Sequence, residues 1–391
     1  MQIPDYFKFF NKTRIISGKK ALENIPYELQ SMDAVKPLVI TDRRSADDGL
    51  ARVLINAYGD SGLVIGAVFD GVTGYPSTKT VLDAAQLFRA RGCDSIIAIG
   101  GENCASVAKA LNLLASYKTD DLIQFESLPD NMHLYPFVVI PTSGSSGRET
   151  STRSVIDGRI FESDELMPDI AVIDPRMLKK RGKTETVLPA LRALAEAVEA
   201  SAEDVANPMN DSFAFASIQL ICENLAAAVN SGGSGKAGLG LANGIAISGI
   251  VWSNAPEGIG SALAEDLAAR TGNSRDLCAA ILLPYALDYK LKNTKKGVRG
   301  ELLLPVAGIG RYCAAAESDR GSLGVEAIIK IVKDMGKYMP LTLKELNIPH
   351  YILESTAGAV EDSFAKQYGK GSAMMILESA YNGERVSGGK K

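Results

Sequence analysis

The chain has 391 residues, 46% hydrophobic and 23% charged, with 42 Lys and Arg against 46 Asp and Glu for a net charge of -4. That length exceeds what one hydrophobic core serves and predicts two domains, and the mildly acidic balance argues against nucleic acid or anionic membrane as a partner. Only two histidines occur, His133 and His350, and the five cysteines are scattered without a CxxC pair, which argues against a histidine-rich site, a disulfide framework and a thiolate metal centre.

The opening MQIPDYFKFFNKTR has no apolar stretch behind a basic start. Later apolar stretches are broken by Gly, Asn or Glu short of bilayer length, so a cytoplasmic protein that engages no membrane is expected. Short apolar, β-branched runs then predict strands at Leu38–Thr41, Leu63–Phe69, Ser95–Ile99, Phe137–Ile140 and Ile170–Ile173. Between them, Val81, Ala84, Leu87 and Phe88 recur at helical spacing and predict a helix over Thr78–Arg91. This alternation is the pattern of parallel strands buried under helices on both faces.

Beyond Pro189 the chain becomes rich in Ala and Leu. Helices are expected at Leu188–Val205, Asp211–Asn230, Lys236–Asn254, Gly260–Arg270, Leu277–Leu291, Gly324–Met335 and Gly358–Lys366. Ser231–Gly235 (SGGSG) reads as a short linker, and the C-terminal GERVSGGKK as a frayed end. The fold class is therefore an α/β N-terminal domain with a parallel Rossmann-like sheet, residues 1–185, followed by an all-helical C-terminal domain, residues 186–391.

Ser95–Lys109 (SIIAIGGENCASVAK) runs from a buried strand through two glycines into a helix. Glycine lets the backbone approach a phosphate, and the free N–H groups of a helix start attract the anion. Asp42, just past a strand, is placed either to bond a ribose hydroxyl or to cap a helix. Pro141–Glu149 (PTSGSSGRE) leaves another buried strand and is either a ligand loop or a solvated one.

Together these segments resemble the iron-containing (group III) alcohol dehydrogenase family, within the dehydroquinate synthase-like fold. FDGVTGYPS at Phe69–Ser77 resembles that family's lead into its first long helix, and GGENCASVAK its cofactor motif GGGSxxDxAK. PTSGSSGRE is similar to PTTxGTGSE, and LMPDIAVIDP at Leu166–Pro175 to the strand closing the first domain. DVANPMND, IVWSNAPEGIG, ILLPYALDY and MPLTLKELNI continue the match through the second half. The resemblance implies NAD or NADP with a small-molecule substrate in an interdomain cleft. It also suggests a homodimer joined through an N-terminal strand, for which Arg14–Ser17 (RIIS) is the candidate.

The resemblance also implies Fe²⁺ or Zn²⁺ held by one Asp and three His, and here the chain departs from it. The helix that should read DxxxHxxE reads RALAEAVE, with Arg192 at the Asp position, Glu196 at the first His and Glu199 at the closing Glu. The other two His positions fall on Ser261 and Arg275, and Glu265 replaces a further His near the substrate. No Fe or Zn is expected at such a site. Arg192, Glu196, Glu265 and Arg275 carry formal charges that sum to zero. They read either as a salt-bridge network filling the metal cavity or as fixed positive charge that polarises a substrate carbonyl or, in a non-redox enzyme, holds a carboxylate or phosphate substrate.

On the cofactor side the family's third glycine is Glu102, its serine Asn103 and its aspartate Ser106, while GTGS becomes Ser145, Ser146, Gly147 and Arg148. Gly100, Gly101, Asn103, Thr142, Ser143 and Ser146 remain the candidate cofactor contacts, with Asp42. Glu102 repels a pyrophosphate if it points inward and spares it if it points to solvent. Two functions follow. One is a metal-independent NAD(P)-linked oxidoreductase for a small alcohol or aldehyde, with Arg275 or Arg192 stabilising alkoxide charge and Glu196 or Glu265 handling the proton. The other is a catalytically inactive homologue acting as a nucleotide-binding sensor or partner.

Overall fold

The computed structural model describes residues 4–59, 61–125, 127–128, 131–145, 147–202 and 207–388. Its N-terminal part contains strands β1 (Arg14–Ser17), β2 (Pro37–Asp42), β3 (Ala67–Val72), β4 (Ser95–Gly100), β5 (Phe137–Pro141), β6 (Arg153–Ile156), β7 (Arg159–Glu162) and β8 (Ile170–Ile173). The helices there are α1 (Ile25–Ser31), α2 (Arg43–Asp47), α3 (Leu50–Tyr58), α4 (Thr78–Arg91) and α5 (Glu102–Ser116). Six strands form one parallel sheet in the order β1-β8-β5-β4-β2-β3.

The inner strands are buried on both faces, as a parallel sheet requires. Leu38, Ile40, Ile96, Ala98 and Val139 pack against Val81 and Phe88 of α4 and Val107, Leu111 and Leu114 of α5. Their neighbours Val39, Ile97, Ile99, Val138 and Val172 turn the other way, onto Ile25 and Leu29 of α1 and Leu50 and Leu54 of α3. Two cores thus sandwich the sheet, which explains why these strands read as unbroken apolar runs.

The third strand forms at Ala67–Val72, later than the expected Leu63–Phe69, because Leu38 pairs with Ala67 and Leu63 and Ile65 pack from the approach to it. The antiparallel hairpin β6–β7 was not anticipated. Its sequence signal was the dipeptide Asp157–Gly158, whose positive φ angles of 50° and 75° suit a two-residue hairpin turn.

The rest of the chain is helical: α6 (Lys183–Ala202), α7 (Pro208–Ser231), α8 (Gly235–Ser253), α9 (Ile259–Thr271), α10 (Arg275–Asn293), α11 (Leu303–Ala314), α12 (Arg320–Asp334), α13 (His350–Tyr368) and α14 (Ser372–Asn382). The α6 helix starts ahead of the predicted Leu188, so Pro189 lies inside it and removes one hydrogen bond from the ladder. The helices α11 and α14 escaped the sequence reading. Gly308 breaks α11 with φ 83° and ψ 164°, and α14 is short and starts behind Gly369 and Gly371.

The chain divides into two compact units. One comprises Phe10–Arg181 and Ala227–Ser253, so α8 belongs with the sheet although it comes late in the sequence. The other comprises the N-terminal residues to Phe9, Gly182–Ala226 and Asn254–Lys391. Among the described residues one helix, α7, is long and apolar enough by length and composition to cross a bilayer, contrary to the expectation that every apolar stretch breaks first. Its Asp211 is buried and accepts a hydrogen bond from Arg299 Nη1 at 2.7 Å, and Phe213 stacks on Phe9.

Candidate functional site

In the sheet unit, the chain runs outward from β2 to the edge strand β3, then returns past β2 to β4. Strand order reverses between β2 and β4, the point where open α/β sheets bind ligands at the carboxyl ends of the strands. Asp42 ends β2 and Gly100 ends β4. Gly100 has φ +151°, and a Cβ there would lie 2.5 Å from Cys104 Sγ and 3.0 Å from Asp42 Oδ2. Only glycine fits that position. Gly101 precedes α5, and a Cβ on it would meet nothing nearer than Gly144 O at 3.7 Å, so the backbone there is open to approach.

The other sequence candidates are largely occupied. Asp42 caps α2, its Oδ1 accepting from Ser45 N at 2.8 Å and its Oδ2 from Ser45 Oγ at 3.0 Å, which is the helix-cap alternative. Asn103 Nδ2 donates to Gly74 O at 3.1 Å and Thr73 O at 3.4 Å, tying the start of α5 to the loop after β3. Thr142 is buried beside the turn, its N–H 3.4 Å from Gly100 O, and Ser143 Oγ donates to Lys179 O at 2.6 Å. Ser146 lies outside the described residues.

The segment around Ser145–Thr152 is not a solvated loop, for its described residues are buried. It turns at Gly147 (φ +86°) against α8, where a Cβ on Gly249 would lie 1.8 Å from Gly147 O. Thr150 Oγ1 donates to Ala246 O at 2.6 Å across the same contact. From α5, Lys109 Nζ donates to Ser151 O at 2.6 Å, Arg153 O at 3.0 Å and Ser151 Oγ at 3.1 Å. Burial, with the nearby charge of Arg148, pulls the Lys109 ammonium down to about 7, although the surrounding oxygens favour its charged form. Burial raises the carboxyl of Glu149, which accepts from Ser145 Oγ at 2.7 Å.

Two of the departures in the cofactor motifs, Glu102 and Arg148, meet. Glu102 Oε1 lies 3.4 Å from Arg148 Nε, and the Arg148 guanidinium sits 4.0 Å from the ring centre of Trp252. Arg153 approaches the same ring at 4.4 Å and pairs with Glu162. Glu102 therefore turns toward the 141–150 segment.

In the helical unit, Arg192 is 2% exposed and bonds Glu196 Oε1 through Nε at 3.1 Å and Asp276 Oδ1 through Nη1 at 2.9 Å. Arg275 pairs with Glu265 at 2.6 Å and reaches Glu196 and Glu257 at 3.9 Å. Four of the five residues read from the sequence are thus joined in one network, but the balance differs from the neutral sum expected. Asp276 and Glu257 join it, so among the described residues these two guanidiniums meet at least four carboxylates. Asp276 was readable as an acidic residue in a first helical turn behind the Ser274 cap; Glu257, in a loop, carried no signal.

Ser261 takes a different role. Its Oγ donates to Glu199 Oε2 at 2.5 Å, and Glu199 also accepts from the backbone N–H of Gly260 at 2.8 Å and Ser261 at 3.1 Å. The Glu199 carboxylate is thereby the anion at the start of α9. A Cβ on Gly258 or Gly260 would lie 2.5 or 2.4 Å from it. Of the two histidines, His133 is exposed in the sheet unit, and His350 is half exposed at the start of α13 beside Glu354. Among the described residues, no three His, Cys, Asp or Glu side chains group as a metal site would require.

Residues 12–175 match the family described as iron-containing alcohol dehydrogenase, and residues 186–372 match its C-terminal region. The chain belongs to the iron-containing alcohol dehydrogenase family. It is 24% identical over 350 residues to an NAD-dependent methanol dehydrogenase of Bacillus methanolicus, covering 87% of this chain and 91% of that one. It is 25% identical over 393 residues to an NADPH-dependent butanol dehydrogenase of Clostridium saccharobutylicum, covering 95% and 97%. The solved alcohol dehydrogenase from Oenococcus oeni superposes with a TM-score of 0.85 at 22% identity, covering 96% of this chain and 100% of that one, and so shares its fold.

Proposed function

We propose that this family member is an NAD(P)-linked oxidoreductase acting on a small alcohol or aldehyde without bound Fe or Zn. The observation that carries the metal-free part is Arg192. Its buried guanidinium stands at the family's ligand position and is held by Glu196 and Asp276. A divalent cation there would meet positive charge and no imidazole, so the residues present do not fit the metal. The nucleotide part rests on family membership and on the Gly100–Gly101 turn, where a Cβ is excluded at the first glycine and the second stands open.

In this reading residues 1–185 hold the dinucleotide and residues 186–391 supply the groups that meet the substrate. The nicotinamide accepts or delivers the hydride. Gly100, Gly101 and the first amides of α5 receive the diphosphate, with Thr142 beside the turn, while Asp42, Asn103 and Ser143 hold the surrounding backbone in place. Arg275, whose side chain is 14% exposed against 2% for Arg192, stabilises the oxygen of the alkoxide. Glu265, paired to it and more exposed, takes the alcohol proton in one direction and returns it in the other. Glu196 holds Arg192 and steadies Arg275. The protein works in the cytoplasm, where its five free thiols stay reduced, and the edge strand β1 offers its open side to a second copy.

The test is titration with NAD(H) and NADP(H), followed by turnover over an alcohol and aldehyde panel with and without chelator. Binding with chelator-resistant turnover supports the proposal, whereas turnover abolished by chelation, with a full equivalent of Fe or Zn in the purified protein, refutes it. Binding without turnover favours the second reading, a nucleotide-binding sensor. That reading draws on the same network, because both arginines are already engaged by carboxylates of the chain itself.

A further inference from the structure

We infer that Glu102 and Arg148 form a latch over the nucleotide turn, in which the Glu102 carboxylate stands in for a diphosphate until the dinucleotide displaces it. This deepens the proposed function and rests on its nucleotide reading. The two residues are 46 positions apart, and each departs from the family's motif. One replaces a glycine at the start of α5 and the other a serine in the segment after β5. A carboxylate at the phosphate position repels the ligand, and a buried guanidinium draws opposite charge toward it. Together they pair at 3.4 Å.

The two partners are held unequally. The Arg148 side chain is 3% exposed and lies on the Trp252 ring, whereas that of Glu102 is 27% exposed in the first turn of α5. When the pair opens, Glu102, the more exposed partner, swings toward solvent, and Arg148 stays. What remains behind the helix start is then the charge of Arg148 and Lys109 against Glu149, with Arg153 occupied by Glu162. That set, added to the N–H groups and dipole of α5, suits an anion such as the diphosphate of a dinucleotide. Affinity is therefore set by a competition between the built-in carboxylate and the ligand's phosphates, and Arg148 is the residue that changes partner.

Trp252 is the only tryptophan in the chain, so its fluorescence reports on Arg148 directly. The experiment titrates the full-length protein with NAD+, and with adenosine as a ligand lacking phosphate. Kd comes from calorimetry and Trp252 emission is followed in parallel, for the wild type and for Glu102→Gln and Arg148→Lys. In Glu102→Gln the Kd for NAD+ should fall about tenfold, as expected when a single competing charge is removed, with the melting temperature unchanged or lower. In Arg148→Lys it should rise. NAD+ should alter Trp252 emission in the wild type, and adenosine should not.

A merely structural pair predicts the opposite pattern, in which Glu102→Gln loses stability without gaining affinity. An unchanged or weaker Kd in Glu102→Gln, or NAD+ binding that leaves Trp252 emission unaltered, overturns the latch while the nucleotide reading stands. If neither the wild type nor Glu102→Gln binds NAD+ or NADP+, both fall together.

Discussion

Replacing Arg192 with methionine keeps much of the side-chain length and removes the guanidinium, and the structure sets what that should cost. The charge-assisted bonds to Glu196 at 3.1 Å and to Asp276 at 2.9 Å are lost. Asp276 is 23% exposed at its side chain and rehydrates cheaply. Glu196 does not: its side chain is 1% exposed, and Arg275 approaches it at 3.9 Å. Stranding one partner of a buried pair costs about 3–5 kcal/mol; because one of the two carboxylates here is partly solvated, about 3 kcal/mol is expected for Arg192→Met. Urea unfolding read at an unchanged m-value would measure it, and the melting temperature should drop by roughly 6–12 °C.

The double variant Arg192→Met/Glu196→Met removes the stranded charge as well and should return to within about 1–2 kcal/mol of the wild type, since apolar replacement of a whole buried pair is often neutral. The non-additivity is the diagnostic. If Arg192→Met loses less than about 1 kcal/mol, Glu196 is not a stranded buried charge, and the network is not what holds this cavity together.

Gly249→Ala should destabilise the sheet unit by about 3 kcal/mol, the upper part of the range for overpacking, because its Cβ would lie 1.8 Å from Gly147 O and backbone cannot rotate away. The same variant should shift Trp252 emission, and full stability with unchanged emission would contradict the close approach of α8 to the 147–150 turn. For Glu149 the folded-state pKa is raised by burial, so between its ordinary value of 4.5 and that raised value the native state binds more protons than the unfolded one. Its contribution is thus fully present at low pH and is lost as pH rises through the folded-state value. Glu149→Gln keeps an acceptor for Ser145 Oγ and should gain stability relative to the wild type as the pH is raised from 4.5 toward neutrality, measured by thermal melts; a constant difference across that range would refute it.

Local features were legible because their causes are local. The unbroken apolar runs of β2, β4, β5 and β8 announce strands buried on both faces, and Gly100–Gly101 between a strand and a helix announces a turn that only glycine can make. Helix periodicity likewise marked most of α6 to α13, failing where Gly308 interrupts α11 and where α14 is short. Order along the chain was enough to nominate Arg192, Glu196, Ser261, Glu265 and Arg275 as candidates without coordinates.

What each of those residues touches was not legible. Arg192 to Glu196 follows from helical spacing, but Asp276 is 84 residues away and enters only because α10 packs on α6. Ser261 reads as a ligand position, yet it helps Glu199 close the start of α9. Glu102 reads as an obstacle to phosphate until Arg148 is set beside it by the packing of Gly147 against Gly249. The elements follow from backbone geometry and side-chain periodicity, which repeat every two or 3.6 residues and so are written locally in the chain. The partners of the charges are settled only on folding, because a buried ion takes whichever opposite charge packing brings within reach, at any separation along the chain.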